Sequence, residues 1–531
     1  MKTTVAVLMF LGLMAGCAKQ ESTVPVTQPL PAAAPAKHAD APGIAWFDGN
    51  VDAAFAAAKT RSKPVLLYWG AVWCPPCQQL KSTVFSRPDF IEKTKLFVPV
   101  YLDGDEPGAQ QAGERFRVTG YPTMVVLDAA GNEIQRIAGT MDLAQFANLL
   151  DTVLGDVQPV NAILDGAAAG RTLSAQECHR LAYNGWSLDE VDEKDYAAQA
   201  ARLTKAAQHC PATAAAERMR LKLFALNYAA DAESDALSSG KQPSASLAAR
   251  IDEIATDLKD RELARNAGDA LIYVGENAFA AVKARGGKTA QSFVADYSAA
   301  MDAIADDTSF AEADRLETIA SKLAASKIAS PDGKIPEDLA RSSRTRLDAI
   351  LAGDQIPYVR SGIINSALHI FEQLDDDETA YRVVKAELPK TKTPYYYKAD
   401  LASIAEDLGR KDEAIDWYAQ AYTEAEGVAT RFQWGTLYLL GLVRMKPEDA
   451  ARIRDVGVQV LGELDGPDRI YRRSRTRLEK IDKELQAWNK AAKGAHSEVI
   501  GALRERMQQT CAKIPAQDQS REACNSFLAA S

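Results

Sequence analysis

Pro64-Val65-Leu66-Leu67-Tyr68-Trp69-Gly70-Ala71-Val72-Trp73-Cys74-Pro75-Pro76-Cys77 is the stretch on which the reading of this 531-residue chain turns. Pro64 to Trp69 is a short apolar run, suited to a strand covered on both faces. Two cysteines at CxxC spacing follow, and a helical segment is predicted from Gln78. A cysteine at a helix N-terminus has its thiolate favoured by the dipole and by free N–H groups. A second cysteine one turn on lies close enough to close a disulfide with it. Cys74 is therefore the expected nucleophile on a substrate disulfide, and Cys77 the residue that resolves the mixed disulfide. Run backwards, the same steps oxidise a substrate. A structural disulfide or half of a metal site are the alternatives at this spacing.

Strand and helix signals alternate around the motif. Val51 to Lys59 is Ala-rich and helical, Leu96 to Leu102 is a second apolar run, and Met124 to Leu127 is a third. The turn Asp128-Ala129-Ala130-Gly131-Asn132 separates that run from Glu133 to Ile137, its expected hairpin partner. Asp142 opens a last helix through Leu150. Residues 44–155 thus read as one α/β domain.

These residues resemble a thioredoxin-fold domain, in particular the C-terminal periplasmic domain of the DsbD thiol:disulfide interchange family. Lys63-Pro64-Val65-Leu66-Leu67, Trp73-Cys74-Pro75-Pro76-Cys77, Val84-Phe85-Ser86-Arg87-Pro88, Gly120-Tyr121-Pro122-Thr123 and Gly139-Thr140-Met141-Asp142 carry the resemblance. It implies that Pro122 is a cis-proline packed against the active disulfide. It also implies that Tyr121 offers backbone hydrogen bonds to a bound substrate, so Trp73, Tyr121 and Pro122 form the expected substrate-binding set. Two positions depart from the family. Tyr68 stands where a buried acid usually helps move the resolving cysteine's proton, which leaves that task to water or to Glu92. Pro75 and Pro76 remove N–H donors from the Cys74 thiolate, and no histidine stands between the cysteines. Cys74 is then only modestly acidic, and a reducing or isomerising role is expected. Pro76 also disfavours helical geometry at Pro75, so local strain is expected there.

Lys2, the apolar run Val5 to Leu13 and Met14-Ala15-Gly16-Cys17 make a secretory signal too short to span a bilayer. It resembles a bacterial lipoprotein signal, covering 1–16, with Cys17 as the acylated residue. An ordinary signal peptide with an incidental cysteine is the alternative. Residues 17–43, rich in Ala, Pro, Thr and Gln, read as a flexible tether. The expected location is the bacterial periplasm, tethered by lipid, with the outer membrane favoured. Apart from Cys17, six cysteines remain; pairing by proximity gives Cys178–Cys210 and Cys511–Cys524 as structural disulfides. His179 and His209 flank the first pair, but adjacent residues rarely share a metal and no zinc spacing is present, so no metal site is assigned.

From 156 onward amphipathic helical patterns dominate, such as the stripe Leu247, Ile251, Ile254 and Leu258. Residues 156–357 read as a helical region. Residues 358–463 resemble degenerate tetratricopeptide repeats, Ala380 and Ala414 standing 34 positions apart. Residues 464–531 read as C-terminal helices. The expected architecture is therefore an α/β thioredoxin-like domain followed by a large all-α region. Asp375-Asp376-Asp377-Glu378 reads as a helix start rather than a calcium loop, and Arg469, Arg472, Arg473, Arg475 and Arg477 as a solvated helix face.

The formal charge of −10, with both signs interspersed, argues against a nucleic-acid partner. No P-loop, HExxH or GxSxG motif adds a second chemistry. The leading reading is an exported protein-disulfide oxidoreductase with no cofactor beyond its own cysteine pair. Its expected partners are exported protein thiols and disulfides and a separate membrane or periplasmic electron donor. A lipoprotein scaffold using the redox domain as a sensor, or metal handling by the dithiol, are the competing readings.

Overall fold

The computed structural model describes residues 43–531 except 107, 139–142, 156, 189–190, 331, 467–468, 516–517, 519 and 529–531. The signal segment, Cys17, the tether up to residue 42 and Asp142 lie outside the described residues.

The α/β part runs α1 (Val51–Arg61), β1 (Val65–Gly70), α2 (Pro75–Thr83), α3 (Pro88–Thr94), β2 (Val98–Asp103), α4 (Ala109–Arg115), β3 (Thr123–Leu127), β4 (Glu133–Ala138) and α5 (Leu143–Gly155). The sheet order is β2-β1-β3-β4, with β1 parallel to β2 and β3 antiparallel to both β1 and β4. Because side chains alternate across a strand, β1 feeds two cores. Val65, Leu67 and Trp69 pack with α1 and with Val98 and Val100 on one face. Leu66 and Tyr68 pack with Leu80, Phe85, Phe90 and Phe146 on the other. Both faces are covered, which explains why the strand reads as an unbroken apolar run.

Two short helices, α3 and α4, were not evident from periodicity; each has only seven residues. The motif helix also starts earlier than predicted, at Pro75 rather than Gln78. Pro75 and Pro76 occupy its first two positions, where an N–H would have no helical acceptor in any case.

Beyond residue 155 the described chain is helical throughout. Its first helices do not form a separate core. Val160, Leu164, Leu181 and Trp186 join the same cluster as Tyr68 and Leu80. Strand β4, at the sheet edge, is covered there: Gly185 N donates to Arg136 O, and buried Arg180 donates to Ile134 O at 2.9 Å. Covering an edge satisfies backbone groups that would otherwise template pairing with another chain. Cys178–Cys210 and Cys511–Cys524 are disulfides. The first joins the helix Ala175–Ala182 to the C-cap of Tyr196–His209.

Residues 357–462 form three successive helix pairs, from Pro357–Gln373 to Ala450–Gly462. Small residues mark their contacts. Ala402, Ala405 and Ala414 are fully buried, and a Cβ on Gly435 would lie 2.8 Å from Val460. Asp376 caps the helix Asp377–Glu387 by accepting from Thr379 N at 3.3 Å.

Candidate active site

The register of β1 with β3 decides where the site lies. Trp69 pairs with Thr123, so the chain leaving β1 toward Cys74 runs beside the chain entering β3 through Tyr121 and Pro122. The Tyr121–Pro122 peptide is cis. Cys74 and Cys77 are bonded, with Cα atoms 5.2 Å apart. Cys74 is the N-cap of α2, and its Sγ accepts from Cys77 N at 3.2 Å. With prolines at the two intervening positions, that is the one first-turn N–H available to the sulfur.

The helical region covers this site. Cys74 is 3% exposed and Cys77 0%. The sequence pattern leads one to expect a sulfur presented to clients, and the structure instead places both among residues of the helical core. Trp73 shows how. Its ring stacks on Tyr396 (5.9 Å) and meets Trp434 edge-on, while Nε1 donates to Thr430 Oγ1 at 2.8 Å and to Asp105 Oδ2 at 3.2 Å. Expected as a substrate contact, Trp73 is held by the protein's own chain.

Asp105, on the loop after β2, closes the contact. It accepts from Thr430 N at 2.8 Å and from the Thr430 hydroxyl, acting across the interface as the cap of the helix Val428–Met445. A helix N-terminus leaves N–H groups unpaired, and a carboxylate satisfies them. Gly427 makes room: a Cβ there would fall 2.3 Å from Asp105 Cγ. Burial pushes the Asp105 carboxyl up to about 6, against the opposing pull of the Thr430 and Trp73 hydrogen bonds.

Tyr121 is turned into the protein. Its ring stacks on Trp69 at 5.8 Å, its hydroxyl accepts from Gln110 Nε2 at 3.0 Å, and the Arg473 guanidinium lies 4.3 Å over its face. The arginine run therefore differs from the solvated face read in the sequence. Arg475 pairs with Glu114 at 2.5 Å, and Arg477 donates to Gln433 at 2.7 Å. Burial, with Arg473 adding repulsion, lowers Arg477 to about 10. Arg475 and Arg473 dock the C-terminal helices on α4 and the Tyr121 loop, and Arg477 ties them to the helix Val428–Met445.

Of the two routes the sequence left for the proton, water and Glu92, the structure removes Glu92, and Tyr68 is no substitute for the missing acid. Tyr68 is buried, its hydroxyl lacks a partner, and burial together with Asp103 drives its pKa far above 10. Glu92 points to solvent on α3 and pairs with Lys95. Sequence reasoning passed over buried Lys81 and Asp103. Lys81 lies 5.3 Å over the Tyr101 ring, and the Tyr101 hydroxyl donates to Asp103 at 3.2 Å. Asp103, ending the apolar run of β2, was the available signal; Lys81, among Gln78, Gln79, Ser82 and Thr83, carried none.

Residues 51–154 match the family model described as a thioredoxin-like domain. The α/β fold, the bonded CxxC pair and the cis-proline loop belong to that class. Curated relatives include the thiol:disulfide interchange protein DsbD of Cronobacter sakazakii, 37% identical over 113 residues, covering 20% of this chain and 19% of the relative. DsbD of Haemophilus influenzae is 32% identical over 88 residues, 16% of this chain and 15% of that protein. The chain therefore spans about one fifth or less of these relatives' length. A thioredoxin from Thermus thermophilus, solved in solution, is 30% identical, covers 21% of this chain and 88% of its own, and superposes with a TM-score of 0.20. Residues 51–154 are a thioredoxin-like domain with similarity to DsbD, followed by a large helical region.

Proposed function

We propose that this protein is an exported thiol–disulfide oxidoreductase in which Cys74 attacks and Cys77 resolves. The observation that carries this reading is the Cys74–Cys77 disulfide at the N-terminus of α2, beside the cis-proline loop. A lone first-turn donor to Cys74 supports a modestly acidic thiol, and hence work as a reductant or isomerising thiol. Clients are exported thiols and disulfides, and reducing equivalents come from a separate donor protein. Cys17 serves as the lipid anchor. Among the described residues no helix is long and apolar enough to cross a membrane. The three helix pairs of 357–462 act as degenerate tetratricopeptide-like repeats that position the cap over the motif.

A second reading draws on the burial of both sulfurs. In it the helical region binds partners, and the redox state of Cys74–Cys77 reports to it through Trp73.

Trapping in the full-length chain separates the two. A Cys77→Ser variant accumulates mixed disulfides through Cys74 if the protein is an oxidoreductase. If partners still co-purify after loss of both cysteines and no mixed disulfide forms, the scaffold reading replaces it.

A further inference from the structure

Next to the residues that flank the covered disulfide lies an open cavity of about 620 Å³ between the thioredoxin-like domain and the helices that follow it. Pro76 lines it, with Cys74 and Cys77 just behind the wall. Its size is typical of small-molecule sites, roughly 300–1,000 Å³. One wall is Pro76 and Gln79 of α2 with Tyr121 and Pro122 of the cis-proline loop. These residues flank the redox pair in sequence and register. The opposite walls come from helices of the region 183–369.

The lining is chemically selective. Four carboxylates, Asp231, Asp269, Asp314 and Glu317, stand against one arginine and one histidine. Asp269 is paired with Arg220, and Glu317 lies 2.9 Å from His369 Nδ1. Asp231 accepts from Asn277 Nδ2 at 2.8 Å, and Asp314 accepts from Gln79 on the motif helix. Neither has a basic partner among the described residues. Asn184 supplies an independent sign of a missing ligand. It lines the cavity and is 2% exposed; its Oδ1 accepts from Gln135 Nε2 and Arg136 N, while its Nδ2 has no partner. A buried donor left unpaired costs about 1–3 kcal/mol unless something accepts from it. Tyr196, Tyr228 and Tyr273 add aromatic surface, which favours a cation near their faces.

We infer that this chamber binds low-molecular-weight disulfides bearing an amino group, the ammonium meeting Asp231 and Asp314 and a carbonyl or carboxylate oxygen meeting Asn184. The inference rests on the redox reading proposed above and specifies its substrate class. Such a group occurs in aminothiol disulfides and in short cysteinyl peptides alike. A folded protein needs roughly 800 Å² of contact surface, and the closed cap exposes no such face around Cys74. In the reaction, the Cys74 thiolate attacks one sulfur of the ligand disulfide. That S–S bond breaks, a mixed disulfide forms, and one ligand thiolate leaves and takes a proton. Cys77, losing its proton to solvent, attacks the Cys74 sulfur and expels the second thiol. Two electrons pass from the protein dithiol to the ligand, and a small dithiol such as dithiothreitol restores the protein.

The test uses the full-length protein in two arms. In the first, the oxidised protein is titrated calorimetrically with 1,6-diaminohexane, which has the ammonium groups but no sulfur, and with 1,6-hexanediol. In the second, the reduced protein is mixed with cystamine, an oxidised lysyl-cysteine dipeptide, 2-hydroxyethyl disulfide or insulin, and rates are normalised to a free dithiol. The expected result is diamine binding without diol binding, and a normalised cystamine rate at least tenfold above 2-hydroxyethyl disulfide. That ratio falls about tenfold in Asp231→Asn and in Asp314→Asn, the first a partly exposed site that tolerates the change. The dipeptide exceeding cystamine identifies peptides as the source, and the reverse identifies free aminothiols. Equal rates for all four disulfides, with no diamine binding, overturn the chamber and leave the redox reading standing. Diamine binding with no thiol exchange by any disulfide overturns the redox reading and, with it, the substrate role of the chamber.

Discussion

The redox motif meets the helical region on two sides, and the two contacts are built differently. On the Trp73 side the contact is close and specific: one indole, one threonine and one carboxylate share four hydrogen bonds beside stacked aromatic rings. On the Pro76 side Gln79 bonds Asp314 at the rim of a cavity of about 620 Å³, with further carboxylates and the unpaired Nδ2 of Asn184 at its walls. Each side leaves one buried donor unmatched, Trp434 Nε1 against Trp73 and Asn184 Nδ2 at the cavity wall, so what sets them apart is the empty space and its carboxylates. The difference separates a latch, which holds the site closed, from a chamber, which leaves space beside it.

Removing the centre of the latch has the largest expected effect. Trp73→Ala deletes a side chain 8% exposed that touches Tyr396, Trp434 and Tyr121. A loss of about 3–5 kcal/mol is expected for truncating such an aromatic. Amides of the Val428–Arg431 turn should lose protection from deuterium exchange by two orders of magnitude or more, while β1 amides stay protected. Equal loss in both places would mean general unfolding and erase the distinction between latch and domain core.

Thr430→Val keeps the shape and removes the hydroxyl that serves both Trp73 and Asp105. The expected cost is about 1–3 kcal/mol, so deuterium exchange of the Val428–Arg431 amides should quicken roughly tenfold, since 1.4 kcal/mol is a factor of ten. An unchanged exchange rate would show that the hydroxyl does not hold the latch.

The latch should also respond to pH. Burial raises Asp105 from its ordinary 3.8 to about 6 in the closed form, so closure binds the proton more tightly than the open form does. Its stabilisation is complete below about pH 4 and is lost as pH rises through 6. Protection of the Val428–Arg431 amides, corrected for intrinsic exchange, should therefore fall between pH 4 and 7. Asp105→Asn should flatten that profile. A profile that instead climbs with pH would reverse the assignment.

The smallest effect belongs to the periphery. Glu114→Gln breaks an ion pair with Arg475 whose side chains are 41% and 27% exposed. Pairs at such exposure contribute roughly 0.2–1 kcal/mol, so Cys74 reactivity should change by no more than a few-fold. A larger change would move the latch outward to the arginine run.

Much of the α/β domain was legible because its signals are local. Apolar runs marked β1, β2 and β3, the Asp128–Asn132 turn marked the hairpin, and CxxC spacing marked the redox pair. The misses were of two physical kinds. α3 and α4 are too short for a periodic pattern to stand out, and the first-turn prolines hid the start of α2. The second kind is long-range. Thr430 lies 357 residues from Trp73, and nothing near either residue records their hydrogen bond. The arginine run and Tyr68 belong to the same class: their composition was read correctly, but what lies opposite them was not.

By itself the sequence determined the class of the first domain, the order of its strands and the identity of the two sulfurs, because these depend on residues close together in the chain. The tertiary structure decided how those sulfurs are reached. Exposure depends on what packs against a residue, and here the covering groups come from helices hundreds of positions downstream. Asp105 became a cap and Trp73 a latch only when the helix Val428–Met445 was brought across them, and the chamber exists only between surfaces that no single stretch of sequence contains.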